Sequence, residues 1–139
     1  ERCRLVVSSG GAMIVMCPLS VQVTSKKYWI LNLNNYRNAH YRTLAKAKRE
    51  YARVMARQVR CLPGWHRVSV RFTLYPVSGR RVDTSNVCSI QEKFLMDAVV
   101  RAGKLPDDDF RHVVKTTYLF GEVDRARPRV EAEFIDMDM

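Results

Sequence analysis

The sequence predicts one small domain that mixes helices with strands, and three observations carry that prediction. The chain has 139 residues, which fits a single domain because natural domains cluster near roughly 100–150 residues and a chain of that size buries a real core. Two segments place apolar residues at the spacings of three and four that a helix requires, and four others are β-branched and aromatic runs. At 47% hydrophobic and 27% charged residues the composition is globular. No stretch reaches the roughly 18 consecutive apolar residues of a membrane span, so no membrane partner is expected.

The first residues resemble no element. Arg2 and Arg4 ahead of Leu5, Val6 and Val7 imitate a signal peptide, but Ser8-Ser9-Gly10-Gly11 interrupts the apolar run, so export is not expected. Gly10-Gly11-Ala12-Met13 reads as a cloning junction or upstream read-through, with the natural start at Met13 or Met16. Residues 1–12 are therefore set apart as an extension, and 13–139 are expected to form the domain. Lys27 to Leu33, with Tyr28, Trp29, Ile30 and Leu31, predicts a strand that runs into an Asn-rich loop, Asn32 to Asn38. Leu44, Ala47, Tyr51, Val54 and Met55 predict a helix from Tyr41 to Arg60, stopped by Pro63-Gly64. Val68, Val70, Phe72 and Leu74 alternate with Arg67, Ser69, Arg71 and Thr73, the pattern of a strand buried on one side. Thr84 or Ser85 is positioned to cap a second helix that runs to about Ala102 and ends at Gly103. Pro106-Asp107-Asp108-Asp109 follows as a loop. Phe110–Phe120 and Arg129–Ile135 then predict two strands joined as a hairpin.

Charge is the unusual quantity. The chain carries 24 Lys+Arg against 14 Asp+Glu, a net of +10, which points to a polyanionic partner. Residues 1–60 hold 12 basic residues and two acids, whereas residues 61–139 hold 12 of each, so the whole excess lies in the first part. Arg42, Lys46, Arg49, Arg53, Arg57 and Arg60 follow one another at spacings of four and three on a single face of the 41–60 helix. Concentration in one stripe favours nucleic acid over a merely solvated face.

The acids cluster later, at Asp83, Asp97 and Asp107 to Asp109. Oxygen ligands gathered from two loops suit a hard divalent cation, Mg²⁺ or Mn²⁺, and such a cation serves phosphodiester hydrolysis. A plainer account stands beside this one. Asp83 also suits a helix N-terminus, Lys93 and Asp97 a solvated i, i+4 pair, and the Asp triplet a turn. Cys3, Cys17, Cys61 and Cys88 contain no CxxC pair and have no neighbouring His, which disfavours zinc and leaves free thiols in a reducing cytosol as the expectation. His40, His66 and His112 are expected to stand alone as surface or capping groups.

The order of these features resembles the RusA-like Holliday junction resolvases, especially their phage members, over residues 26–136. That family shows an Asn-bearing loop after a strand, a basic helix, a strand leading to arginines and Asp-x-Asp-Asn, then a Lys, an Asp four residues later and a closing Asp-Asp. The corresponding residues here are Asn34-Asn35-Tyr36-Arg37, the 41–60 helix, the 67–75 strand, Arg80-Arg81-Val82-Asp83-Thr84-Ser85-Asn86, Lys93, Asp97-Ala98 and Asp107-Asp108. The resemblance implies an α+β domain with a small mixed sheet and two helices packed against it, acting as a homodimer. It implies a Mg²⁺-dependent (or Mn²⁺-dependent) endodeoxyribonuclease that resolves four-way DNA junctions by paired nicks in recombination, repair or phage DNA processing. The setting implied is the cytoplasm of a bacterial host.

By position, the resemblance assigns catalysis to Asp83, Lys93 and Asp108 and metal binding to Asp83, Asp107 and Asp108, with support from Ser85, Asn86 and Asp97. DNA binding falls to Asn35, Arg37, Arg42, Lys46, Arg49, Arg53, Arg80 and Arg81. Two departures bear on this. Ser85 stands where the family has its second motif acid, leaving Asn86 or Asp107 to compensate. The run from Asn86 to Lys93 is also four residues longer, which in a helix adds about 400° of rotation and about 6 Å of rise. Lys93 thus keeps its face one turn further along, whereas an ungapped count puts Ser89 in its place. The Ser85 departure also motivates the alternative of a branched-DNA-binding protein with weakened cleavage. Tyr36, Trp65 and Phe110 are candidates for stacking on exposed bases, with core packing the expected role of at least two of them.

Overall fold

A computed structural model describes residues 5–81 and 83–138. The fold is α+β, as expected, with seven strands and three helices among the described residues. In chain order these are β1 (Val6–Val7), β2 (Met13–Cys17), β3 (Ser20–Thr24), β4 (Lys27–Ile30), α1 (Leu33–Asn38), α2 (Tyr41–Arg60), β5 (Val68–Tyr75), α3 (Thr84–Arg101), β6 (Val113–Phe120) and β7 (Arg129–Asp136). The main sheet has the order β1-β2-β7-β5-β6, and β3 with β4 forms a separate two-stranded ribbon. β5 and β6 are parallel, while the other neighbours are antiparallel. The sheet is therefore mixed.

Several expectations change at this level. β6 and β7 do not form a hairpin. Each pairs with β5, β6 in parallel and β7 antiparallel, because two parallel strands need a long crossover and α3 supplies it. The Asn-rich segment after β4 is a short helix instead of a loop, making three helices instead of two; Asn32 caps it by accepting from the Asn35 N–H at 2.7 Å. Residues set apart as an extension contribute β1, which pairs Val6 with Ile14 and Val7 with Met13. The cap of α3 is Asp83, one residue before the predicted Thr84. α2 keeps its predicted limits.

The core lies between one sheet face and the helices. Ala47, Tyr51, Met55 and Val59 of α2 and Ile90, Phe94, Leu95 and Val99 of α3 are buried with Val70, Phe72 and Leu74 of β5. Tyr51 and Phe94 meet edge to face at 5.4 Å, and Trp29 stacks on Phe94 at 5.7 Å, which ties the β3-β4 ribbon to the helices. On the opposite sheet face Arg71 pairs with Glu133 at 3.2 Å and Arg129 with Glu131 at 2.7 Å. Those polar pairs explain the alternation along β5 and β7, since each strand buries every second residue.

One polar chain crosses the core. The buried Tyr51 hydroxyl donates to Gln91 Oε1 at 2.9 Å, and Gln91 Nε2 donates to the Pro18 carbonyl at 2.6 Å. Gln91 is fully buried, so both its amide atoms must be satisfied internally. Cys17 and Cys88 are free and buried, and burial pushes each thiol up to about 12. Cys61, expected as a free thiol, is disulfide-bonded. His66 and His112 are not isolated either. Their rings lie 5.0 Å apart, and the buried His112 shares a hydrogen bond of 2.8 Å between Nδ1 and the His66 carbonyl oxygen.

Replacing Gln91 tests the polar chain. Gln91→Leu removes the partner of the Pro18 carbonyl and one of the two partners of the Tyr51 hydroxyl, which also bonds Cys17, and at about 1–3 kcal/mol for an orphaned buried group the expected loss is about 1–3 kcal/mol. Urea denaturation reads it. Adding Tyr51→Phe to Gln91→Leu should recover part of the loss, and strict additivity of the two substitutions would show that the hydrogen bond contributes no coupling.

Candidate nucleic-acid site

The candidate site is assembled where α1 meets the start of α3. Asp83 caps α3, and its Oδ1 accepts from the Ser85 N–H at 3.1 Å and from the Ser85 hydroxyl at 2.8 Å. Ser85 serves its neighbour: it donates to the Asp83 carboxylate and adds no negative charge. Asn86 has a different task. Its Oδ1 accepts from the Leu33 N–H at 2.8 Å, across 53 positions of sequence, and so clamps the first turn of α1 to the first turn of α3. The two helices enclose a pocket of about 350 Å³ lined by Leu33, Asn34, Arg37, Asp83, Ser85 and Asn86. Arg37 and Asp83 line the same pocket, one cation and one carboxylate, and both are exposed.

Lys93 lies elsewhere on α3. Ten residues from Asp83, it is about 15 Å along the helix axis, and its Nζ sits 5.8 Å from the centroid of the Tyr36 ring. Lys48 approaches the same ring to 6.0 Å. Each ammonium is close enough for a cation–π contact with the ring. Tyr36 is accordingly half-buried and packed against the core instead of being open for stacking, and Trp65 stacks internally on Phe134 at 5.1 Å. Phe110, by contrast, is 86% exposed.

The closing acids are far from Asp83 within the chain. α3 has 18 residues between the two groups, a length of about 27 Å at 1.5 Å per residue. The loop beyond it is held at the opposite end of the sheet. The Trp65 N–H donates to the Lys104 carbonyl at 2.7 Å, and the Val113 N–H donates to the Asp109 carbonyl at 2.9 Å as β6 begins beside the start of β5. Within that loop Asp107 Oδ1 accepts from the Asp108 N–H at 2.8 Å, and Asp109 pairs with Arg111 at 2.6 Å, a contact that holds the Asp109 carboxyl below the usual carboxylate range. Asp97 pairs with Arg101 at 3.5 Å. Among the described residues no group of three His, Cys, Asp or Glu side chains converges as a metal site. Among the described residues of one chain, the carboxylates to which the resemblance assigns Mg²⁺, Asp83 and the Asp107-Asp108 pair, are not brought together.

The cations are better gathered. The stripe of α2 projects away from the buried face, with Arg42, Arg49, Arg53, Arg57 and Arg60 exposed. Glu50 is the one acid of α2; it takes Arg53 at 3.1 Å and Lys46 at 4.0 Å, and the Arg53 hydrogen bonds hold its carboxyl below the usual range. Arg80 and Arg81 are exposed on the loop that leads to Asp83. Asn35, assigned to DNA by its position, donates through Nδ2 to the Ile30 carbonyl at 3.0 Å. Sequence reasoning missed the clamp role of Asn86, because a side chain that bonds to a backbone 53 positions away leaves no local signature.

No family model matches the chain, and no curated protein is significantly similar to it.

Proposed function

We propose that this protein is a structure-selective endodeoxyribonuclease of branched DNA, of the RusA-like kind, acting as a homodimer with Mg²⁺ or Mn²⁺ on four-way junctions. The observation that carries the DNA part is the cation stripe of α2, an exposed row on a helix whose own sequence holds one acid, Glu50. Such a row follows a phosphate backbone and carries no base information, which suits recognition of branch shape. Arg37, Arg80 and Arg81 extend the positive surface to the Asp83 pocket, where a backbone phosphate would rest beside the carboxylate.

The spacing of the acids supports the proposed dimer. Asp83 and the Asp107-Asp108 pair stand at opposite ends of α3, so a site using all three needs Asp83 from one copy and Asp107 and Asp108 from a second. In a twofold dimer that arrangement produces two equivalent sites, as two opposed cuts in a junction require. Where the acids of two copies do not meet, the remaining reading is a branched-DNA-binding protein without cleavage, and the Asp83–Ser85 hydrogen bonds favour it by leaving the pocket one acid short of the family pattern.

Two measurements test these statements. Binding of a four-way junction should weaken linearly with log salt, and Arg42→Ala or Arg49→Ala should each reduce the slope by about 0.9; an unchanged slope in both removes α2 from the interface. With Mg²⁺ the wild type should nick the junction in opposed strands, while Asp83→Asn and Asp108→Asn should each stop cleavage and retain binding. Mixing the two inactive variants should restore roughly a quarter of the sites, since half of random dimers are mixed and each mixed dimer holds one intact composite site. Tight binding without nicks by the wild type, with either metal, would establish the binding-only reading.

A further inference from the structure

A second concavity lies on a neighbouring face of α1. It is a groove of about 420 Å³ between β4 and the start of α2, with Lys27, Tyr28, Asn35, Asn38, His40 and Thr43 among its lining residues. That size falls within the roughly 300–1,000 Å³ of ligand-binding clefts. Of its aromatic groups Trp29 is packed on Phe94, whereas Tyr28 and His40 are exposed, and Tyr41 adjoins His40 just outside the lining. Tyr28 is 62% exposed on β4, and Tyr41, 69% exposed, stacks on the His40 ring at a centroid distance of 4.6 Å. Arg42 holds the outer end of this stack, with Nε 3.3 Å from the Tyr41 hydroxyl and its guanidinium 5.8 Å from the ring centroid.

The groove also has a defined polar character. His40 Nδ1 accepts from the Arg42 N–H at 3.2 Å, so in the neutral ring the proton sits on Nε2 and is available as a donor. The amide nitrogens of Asn35 and Asn38 are committed to the Ile30 and Asn34 carbonyls. Among the described residues no Asp or Glu lines the groove, whereas Lys27 does, and Arg42, two residues beyond the lining His40 and bonded to it through its N–H, begins the α2 stripe. Exposed aromatic faces within a positive, acid-free cleft are the combination that takes single-stranded nucleic acid: bases stack on the rings and the backbone follows the cations.

We propose that this groove is a second nucleic-acid site that binds unpaired nucleotides of DNA, one base against Tyr28 and another against the His40–Tyr41 stack, with Lys27 and Arg42 on the phosphates. The assignment rests on the DNA-binding reading above but not on cleavage. α1 supplies both concavities, Asn35 and Asn38 to this groove and Asn34 and Arg37 to the Asp83 pocket. A helix with its side chains is about 10–12 Å across, roughly three steps at the 3.4 Å rise of one strand. A strand that leaves duplex at the Asp83 pocket therefore reaches the groove within a few nucleotides, so the groove would hold bases opened at a branch point.

Fluorescence anisotropy with a labelled 12-nucleotide oligo(dT) and with a 12-base-pair duplex tests this on the full chain. Tyr28→Ala and Tyr41→Ala should each weaken oligo(dT) binding about tenfold, with duplex binding changed less than about twofold, and Tyr28→Phe should bind as wild type. Both tyrosines are surface groups, so thermal melting should not move. Equal oligo(dT) affinity in wild type and both alanine variants would overturn the groove, as would parallel losses on single strand and duplex or capture of an acidic peptide in preference to oligo(dT). The failures are separable: a tyrosine effect without junction nicking removes the nuclease reading alone, whereas nicking without a tyrosine effect removes the groove alone.

Discussion

Parallel pairing of β5 with β6 is the constraint on which the rest of the arrangement depends. Two parallel neighbours cannot be joined by a turn, so the chain must travel back along the sheet before the second strand begins. α3 makes that return in 18 residues. Its apolar face, with Ile90, Phe94, Leu95 and Val99 buried, packs on the sheet as it crosses. Whatever precedes α3 is consequently at one end of the sheet, and whatever follows it is at the other. Asp83 and the Asp107–Asp109 loop are separated by topology before any side chain is considered.

A second, smaller constraint organises the near end. α1 has only six residues and no buried residue of its own, so packing alone would hold it poorly. Three side-chain amides do the holding. Asn32 caps the helix, Asn35 bonds back to Ile30 of β4, and Asn86 reaches across from α3 to the Leu33 N–H. Because α1 walls both the Asp83 pocket and the β4 groove, the same three bonds set the shape of each. The Asn-rich composition thus has a structural cause, namely a short helix that is pinned by hydrogen bonds in place of a hydrophobic face.

Much of the fold was legible in the sequence, and the illegible parts share a physical reason. α2 is long, strongly periodic and closed by Pro63-Gly64, so its limits and its cationic face could be read from local pattern. β5 and β7 alternate clearly because one sheet face is core and the other carries ion pairs. The hairpin expectation for β6 and β7 was wrong because strand order is decided by long-range pairing, which a run of β-branched residues does not encode. The short helix α1 was hidden because Asn favours turns and caps alike. At the site, residue types were legible and distances were not. Asp83, Ser85, Asn86 and Arg37 come together, while Lys93 turns to Tyr36 and the closing acids lie beyond the far end of α3.

The distribution of partners among the charged groups carries the argument one step further. Asp97, Asp109, Asp124, Glu131 and Glu133 are each engaged by an arginine of the same half of the chain. Their charge is locally spent, which is why residues 61–139 balance to zero without presenting a strongly negative surface. α2 is built the opposite way. Its own sequence holds one glutamate, which takes Lys46 and Arg53, so the helix keeps a large excess of positive charge that suits a partner bringing its own negative charge. Asp83 is different again: its hydrogen bonds come from neutral groups, Ser85 N–H and hydroxyl, and not from a cation. Asp83 therefore differs from the arginine-bound acids of the second half: its hydrogen-bond partner is Ser85, and it lines a pocket with Arg37, the place where the proposed function puts a phosphate-bearing strand.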